Sequence, residues 1–211
     1  VALWTDQGCE VCYVLCTRGD RGSNDPAMTP WALARIREVE QRAACAVVGV
    51  TNVVFLDHPD GTLEPTLALR RDLTREIRRF RPEVVICFDP TARFYGDHYL
   101  NHPDHRAGGS AALDAVFPSA ETRYVFPELL AAGFEPHRVS AVYIHGSSEP
   151  NVWVDISSTL ERKIRALKAH QSQVGDGRVE EWIRAMAEEE GRSQGLAAAE
   201  SYRRIVINGH S

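Results

Sequence analysis

The sequence predicts an α/β fold, with a mostly parallel sheet and helices on both of its faces. Three observations predict it. Short apolar stretches alternate with segments whose apolar residues recur at helical spacing through the first half of the chain. The short stretches, Val11 to Cys16, Asn52 to Leu56 and Val84 to Phe88, are apolar almost throughout, as parallel strands covered on both faces are. Each is followed by a polar loop rich in Gly, Asp or His, at the strand end where open α/β sheets bind ligands.

The elements follow in order. Val1 to Gln7 reads as the last turns of a helix, with Gly8 as its stop. A strand directly after a helix implies a strand before it. The expectation is that the first strand is missing from this sequence and that two strand edges are left exposed. After the strand Val11 to Cys16, Thr17-Arg18-Gly19-Asp20-Arg21-Gly22-Ser23-Asn24 forms a Gly-rich loop. Its spacing matches neither a P-loop nor a dinucleotide fingerprint, so it is a plain connection or a site wall. Thr29 and Pro30 open a helix with Leu33, Ile36, Ala43, Ala44 and Val47 inward and Gly49 as its end. Arg37 and Glu40, one turn apart on it, suit a surface ion pair.

After the strand Asn52 to Leu56, the turn Asp57-His58-Pro59-Asp60-Gly61 places a His and two Asp at a strand end, so His58 is a candidate metal ligand. Leu69, Leu73, Ile77 and Phe80 mark a third helix, stopped at Arg81-Pro82. Residues 118–138 are Pro-rich and irregular, with a helical piece near Leu129. Val139 to His145 and Val152 to Ile156 read as strands. Ser157 or Ser158 caps a helix ending near His170. Helices over about Val179 to Glu190 and Leu196 to Arg204 follow, then the short apolar end Ile205-Val206-Ile207.

The strand Val84 to Phe88 leads through a polar loop to Asn101-His102-Pro103-Asp104-His105-Arg106-Ala107. Asn101 is a suitable N-cap and Asp104 can answer it; Pro103 is tolerated in a first turn. His102 and His105 are one turn apart and share a helix face. Two imidazoles and a carboxylate thus project from one helix start at a strand's carboxyl end. The same pattern also suits a capped helix with two surface histidines.

With 211 residues, 44% hydrophobic and 25% charged, the chain suits one globular domain over residues 1–211. A net charge of −5 and a pI near 5.9 leave no electrostatic footprint for nucleic acid. No apolar run approaches the roughly 18 residues of a membrane span, and no signal peptide is visible. Five cysteines, an odd and sparse count, point to a reducing cytoplasm. Cys9 and Cys12 point to opposite faces of a strand, and no second pair completes a zinc site.

The order of motifs resembles the PIG-L / LmbE-like deacetylase family across nearly the whole chain. The resemblance is carried by Thr17 to Gly22, Arg37-x-x-Glu40, Phe55-Leu56, Asp60-Gly61, His102 to Ala107, Asp155-Ile156, Lys163 and His170-Gln171-Ser172-Gln173. It implies a Rossmann-like, three-layer α/β/α fold and a cytoplasmic, zinc-dependent hydrolase that removes the N-acetyl group of an amino sugar. A family signature of His-Pro-Asp-Asp followed by Glu, expected upstream of Val1, would supply two zinc ligands and the general base.

The resemblance makes His105 the third zinc ligand. His102 takes the acid or oxyanion role, with Asp104 acting on its orientation and basicity. Arg37 would hydrogen-bond sugar hydroxyls, and Asp20 and Asp60 would line the pocket. Tyr99 or Tyr95 would lie over the substrate, on a loop longer than the family's compact form. His170 and Gln173 brace the site, or simply end a helix. Assembly as a trimer or hexamer is also implied. Two other readings stand beside it: a metal-free member that binds a sugar or a protein partner, and a nucleotide-binding Rossmann protein.

Overall fold

The computed structural model describes residues 1–174 and 178–207. In chain order the elements are α1 (Ala2–Asp6), β1 (Cys12–Thr17), α2 (Pro30–Val47), β2 (Asn52–His58), α3 (Leu67–Phe80) and β3 (Val84–Phe88). A small hairpin, β4 (Phe94–Tyr95) and β5 (Tyr99–Leu100), leads to α4 (Pro103–Asp114), a π-type segment (Ala115–Ala120) and α5 (Pro127–Ala131). The chain closes with β6 (Ala141–His145), β7 (Val152–Asp155), α6 (Leu160–Lys168), α7 (Gln171–Val174), α8 (Val179–Arg192) and β8 (Ala199–Val206). These elements form two compact units. One is Val1–Asp60 with Trp153–Ser201, the other Gly61–Val152 with the segment from Tyr202 on.

In the first unit, β1 pairs with β2 in parallel, from Cys12 opposite Asn52 to Thr17 opposite His58. All six residues of β1 are half-buried, short of the two-sided burial expected, with a strand neighbour on one edge only among the described residues. Helix α2 starts as the sequence predicts: the Thr29 hydroxyl accepts the Ala32 N–H at 3.2 Å and Pro30 fills the first turn. Its inward face differs from the expected one. Leu33, Ala44, Cys45 and Val48 are buried, while Ile36 is 40% exposed and Ala43 faces solvent. Arg37 and Glu40 lie on the same helical face as Leu33 and Ala44. Residues Ile156, Leu160, Ile164, Ile183, Ala187 and Ala198 form one core cluster of this unit. Ala2, Cys45, Val48 and Val50 form a second.

In the second unit, β3 runs parallel to β6, and β6 pairs antiparallel with β8 from Ala141 opposite Val206 to His145 opposite Tyr202. The helix expected over Leu196 to Arg204 is therefore a strand from Ala199 on. Its Ala, Glu and Arg residues are good helix formers, but propensity differences are only tenths of a kcal/mol per residue, and a ladder along β6 satisfies the backbone instead. Helix α3 ends as expected, at Arg81 in the left-handed region (φ +58) before Pro82. Its buried Arg78, 2% exposed, donates to the carbonyls of Ser119, Ala120, Thr122 and Val125 and so organises the irregular Pro-rich stretch. Helix α4 presses on β3 at Gly109, where a Cβ would stand 2.3 Å from the Phe88 carbonyl oxygen. That close approach sets the α4 start beside the end of β3. In the first unit, α6 is preceded by Thr159 without a side-chain cap, not by a capping Ser157 or Ser158; the Ser157 N–H and hydroxyl bind Asp155 instead.

Candidate active site

The second unit brings together His102, Asp104 and His105, with Tyr99 on the hairpin that precedes them in the chain. Asn101 is not the N-cap of α4; His102 is. Its Nδ1 accepts the Asp104 N–H at 3.2 Å, a bond that needs an unprotonated Nδ1. The proton of the neutral ring is then on Nε2, and the side chain is 48% exposed. Asn101, 4% exposed, acts behind the helix. Its Nδ2 donates to the Ala92 carbonyl at 2.7 Å, which fixes the amide's orientation. Its Oδ1 is then the atom 3.3 Å from His105 Nδ1, and it accepts. His105 accordingly carries its proton on Nδ1 and keeps a lone pair on Nε2. The ring stacks on Phe88, with centroids 4.2 Å apart and planes 9° off parallel. Burial pushes the His105 imidazole below its usual range, with His102 adding to the effect, so the ring is neutral at neutral pH. Two neighbouring imidazoles, 5.5 Å apart, thus hold opposite tautomers.

The Asp104 side chain does more than face His102. Its buried carboxylate accepts the backbone N–H of Gly61 at 2.7 Å and of Leu63 at 3.2 Å. Its nearer oxygen stands 3.8 Å from His102 Nδ1. The carboxylate is a clamp on the segment after Asp60, and its backbone N–H is the group that sets the His102 tautomer.

Two residues here carried no signal in the sequence beyond their place at strand ends. Asp89, 5% exposed, closes a turn by accepting the Thr91 N–H at 2.7 Å and the Thr91 hydroxyl at 2.6 Å. Burial alone would raise its carboxyl, but the Thr91 bonds, with the Ser147 hydroxyl and the Ala92 N–H, hold it below the usual range. His145, opposite Phe88 on β6, lies 6.0 Å from that ring. Of the two candidate tyrosines, Tyr95 packs on Gly146 and Tyr99 is 54% exposed, their rings 6.0 Å apart across the hairpin.

The first unit brings together Asp20, Arg37 and Asp60. Arg37 makes no ion pair with Glu40. Its Nη1 donates to Gly19 O at 2.6 Å and its Nη2 to Gly22 O at 2.9 Å. A Cβ on Gly22 would stand 2.5 Å from Arg37 Nη1, and one on Gly19 2.7 Å from it. The glycine-rich loop is a cradle for a guanidinium rather than for a phosphate. The Asp60 carboxylate holds the same loop from another side, accepting the Thr17 hydroxyl at 3.1 Å and the Arg21 N–H at 3.3 Å. Asp20 is left partly exposed at the loop's tip. Glu40 accepts the Ser172 N–H at 2.7 Å and its hydroxyl at 2.6 Å, tying α7 to α2. Gln173 Nε2 lies 3.3 Å from His170 Nδ1, and burial pushes the His170 imidazole down.

His105, neutral with a bare Nε2, has the form that a divalent metal takes, and its Asn101 bond is the kind that fixes a ligand's tautomer. Among the described residues, no group of three or more His, Cys, Asp or Glu stands together to hold a metal ion. That applies to His58 as well as to His105. No helix among them is long and apolar enough to cross a membrane.

Comparison with known proteins gives the context. The family model PIG-L, described as GlcNAc-PI de-N-acetylase, matches residues 1–116. A diacetylchitobiose deacetylase from Thermococcus kodakarensis is 33% identical over 202 residues, covering 94% of this chain and 73% of its own length. A probable N-acetyl-alpha-D-glucosaminyl L-malate deacetylase 2 from Bacillus anthracis is 28% identical over 82% of this chain and 73% of its own length. The structure of N,N'-diacetylchitobiose deacetylase from Pyrococcus horikoshii, in complex with an inhibitor, superposes with a TM-score of 0.88 at 29% identity, over 97% of this chain and 76% of that one. The fold is accordingly Rossmann-like α/β, and these relatives are deacetylases. With the match across more than half its length, this chain belongs to the PIG-L family of de-N-acetylases.

Proposed function

We propose that the protein is a zinc-dependent amidohydrolase that removes the N-acetyl group from an amino-sugar conjugate. The observation that carries this reading is the pair of opposite tautomers at the start of α4. One imidazole offers an N–H and its neighbour offers a lone pair, which divides the work between a donor and a ligand. His105 would hold zinc through Nε2; bound there, the metal supplies Lewis acidity to the amide carbonyl and acidity to a water.

The chain's own residues do the rest. His102 points an Nε2–H at the carbonyl oxygen as negative charge develops there, a donor aimed in advance. It then gives that proton to the departing amine nitrogen. The Asp104 N–H on Nδ1 keeps the ring in the donating form, so Asp104 is a positioning residue. In the first unit, Arg37 and Asp60 hold the loop that carries Asp20 in shape. Tyr99 contributes an exposed ring to the substrate.

The test is acetate release from N,N'-diacetylchitobiose with zinc present, together with metal content. His105→Ala loses zinc and turnover together; His102→Ala keeps the metal and loses turnover. Full zinc occupancy in the His105→Ala protein overturns the ligand assignment. A metal-free, sugar-binding member is the second reading. It predicts saccharide binding with neither zinc uptake nor acetate release.

A further inference from the structure

Helix α3 holds five arginines against two carboxylates, in a protein whose net charge is −5. Leu69, Leu73 and Ile77 bury its inner face. The arginines divide between two directions. Arg70 and Arg78 turn to the strap of residues 117–125. Arg70 Nε donates to the Ser119 hydroxyl at 2.6 Å, and Arg78 Nη2 to Thr122 O at 2.9 Å and Val125 O at 3.1 Å. Arg71, Arg75 and Arg79 follow one another a turn apart and form a stripe that reaches solvent.

Two carboxylates lie under this stripe. Asp72 is 3.1 Å from Arg71, and the buried Glu76 is 3.0 Å from Arg75 and 2.6 Å from Arg79. Three cations over two anions leave an excess of positive charge. Every hydrogen bond that Arg78 makes among the described residues goes to a carbonyl, so its charge adds to that excess.

The strap lays apolar groups beside the stripe. The Arg78 bonds fix Thr122 and Val125, and so place Tyr124 between them, 84% exposed, next to α3. The Arg70 bond fixes Ser119, two residues after the exposed Phe117, and the exposed Leu67 stands one turn before Arg71. Guanidinium groups flanked by solvent-facing rings and a leucine match the boundary layer of a bilayer, where phosphates meet the ends of acyl chains. A soluble polyanion would satisfy the arginines but would give Tyr124, Phe117 and Leu67 nothing apolar to enter.

We propose that the outer face of α3 and the adjoining strap dock on an anionic lipid bilayer, with the arginines on headgroup phosphates and Tyr124 in the interfacial layer. None of these residues has a role in the proposed hydrolysis, so the inference stands or falls apart from it.

The test is flotation of the full chain with vesicles of phosphatidylcholine alone and of phosphatidylcholine mixed equally with phosphatidylglycerol. The protein should float with the mixed vesicles only, and less of it as salt rises from about 0.1 M to about 0.5 M. Arg71→Gln should weaken binding about fivefold and Arg71→Glu further, since one basic side chain near an anionic surface is worth about that factor. Arg192→Gln, an exposed arginine on α8, should leave binding unchanged. Tyr124→Ala should weaken binding several-fold and Tyr124→Trp preserve it, a dependence that surface charge does not produce. Equal flotation with both vesicles, or full binding by Arg71→Glu, overturns the proposal. So does loss of binding in Arg71→Glu with none in Tyr124→Ala, which would mark a soluble polyanion such as nucleic acid as the occupant.

Discussion

Replacing Asn101 with Ala tests how the two histidine tautomers are set. The side chain is 4% exposed and holds two groups: the Ala92 carbonyl at 2.7 Å and His105 Nδ1 at 3.3 Å. Truncation leaves both without their partner. At roughly 1 kcal/mol for each net hydrogen bond, plus the cost of a buried group left unmade, stability should fall by about 2–3 kcal/mol. The midpoint of urea unfolding reads that loss. The second effect is on His105. With no acceptor behind it, the proton is no longer held on Nδ1, and zinc affinity should drop about 10–100-fold, as for other tautomer-fixing neighbours of ligand histidines. Imidazole nitrogen-15 shifts report the tautomer without any metal. Asn101→Asp separates the two effects. It keeps an acceptor for Nδ1–H, so the tautomer persists, but it sets a carboxylate against the Ala92 carbonyl, so stability still falls. An Asn101→Ala protein with His105 still protonated on Nδ1 and with unchanged zinc affinity would refute the reasoning.

Gly109→Ala should cost about 1–3 kcal/mol, because its Cβ would meet the Phe88 carbonyl oxygen at 2.3 Å in a packed contact; thermal unfolding checks it, and a neutral outcome would show that α4 slides freely on β3. Arg37→Lys should loosen the loop from Thr17 to Gly22, since one ammonium cannot span the Gly19 and Gly22 carbonyls as the guanidinium does. Faster tryptic cutting after Arg18 and Arg21 is the readout, and an unchanged cutting rate counts against the cradle. Burial, with Asp89 adding, pushes the Cys87 thiol up to about 12, so at neutral pH it stays protonated and poorly nucleophilic. A disulfide reagent should modify exposed Cys9 well before Cys87, with the Cys87 rate climbing as the pH rises toward 12; equal rates at neutral pH would contradict the burial.

Much of the fold was readable from local rules. Thr29 and Pro30 start α2, Gly49 follows it in a positive-φ conformation, and Arg81-Pro82 stop α3, each through chemistry that involves only near neighbours in sequence. The candidate site was half readable. His102 and His105 stand on one face of a helix at a strand end, as their spacing requires. Their tautomers were not readable, because each depends on a partner chosen by the local fold. Asn101 is as good an N-cap as His102 by residue type. The turn of the chain into α4 gave the cap to His102 and sent Asn101 to Ala92, nine residues back.

Sequence alone determined the elements, the residue types at the strand ends and the family resemblance, since these follow from spacing and composition along the chain. Tertiary structure alone decided the partners. Arg37 and Glu40 are one turn apart and of opposite charge, yet each binds another segment, because paired charge-assisted bonds to that segment outweigh a solvated ion pair. Asp104 likewise serves Gly61 and Leu63, more than 40 residues away, and β8 is a strand because β6 offers it a ladder. Propensities are worth tenths of a kcal/mol per residue, whereas a buried, unpaired N–H or C=O costs about 1–3 kcal/mol, so the contacts that satisfy the backbone had the final say.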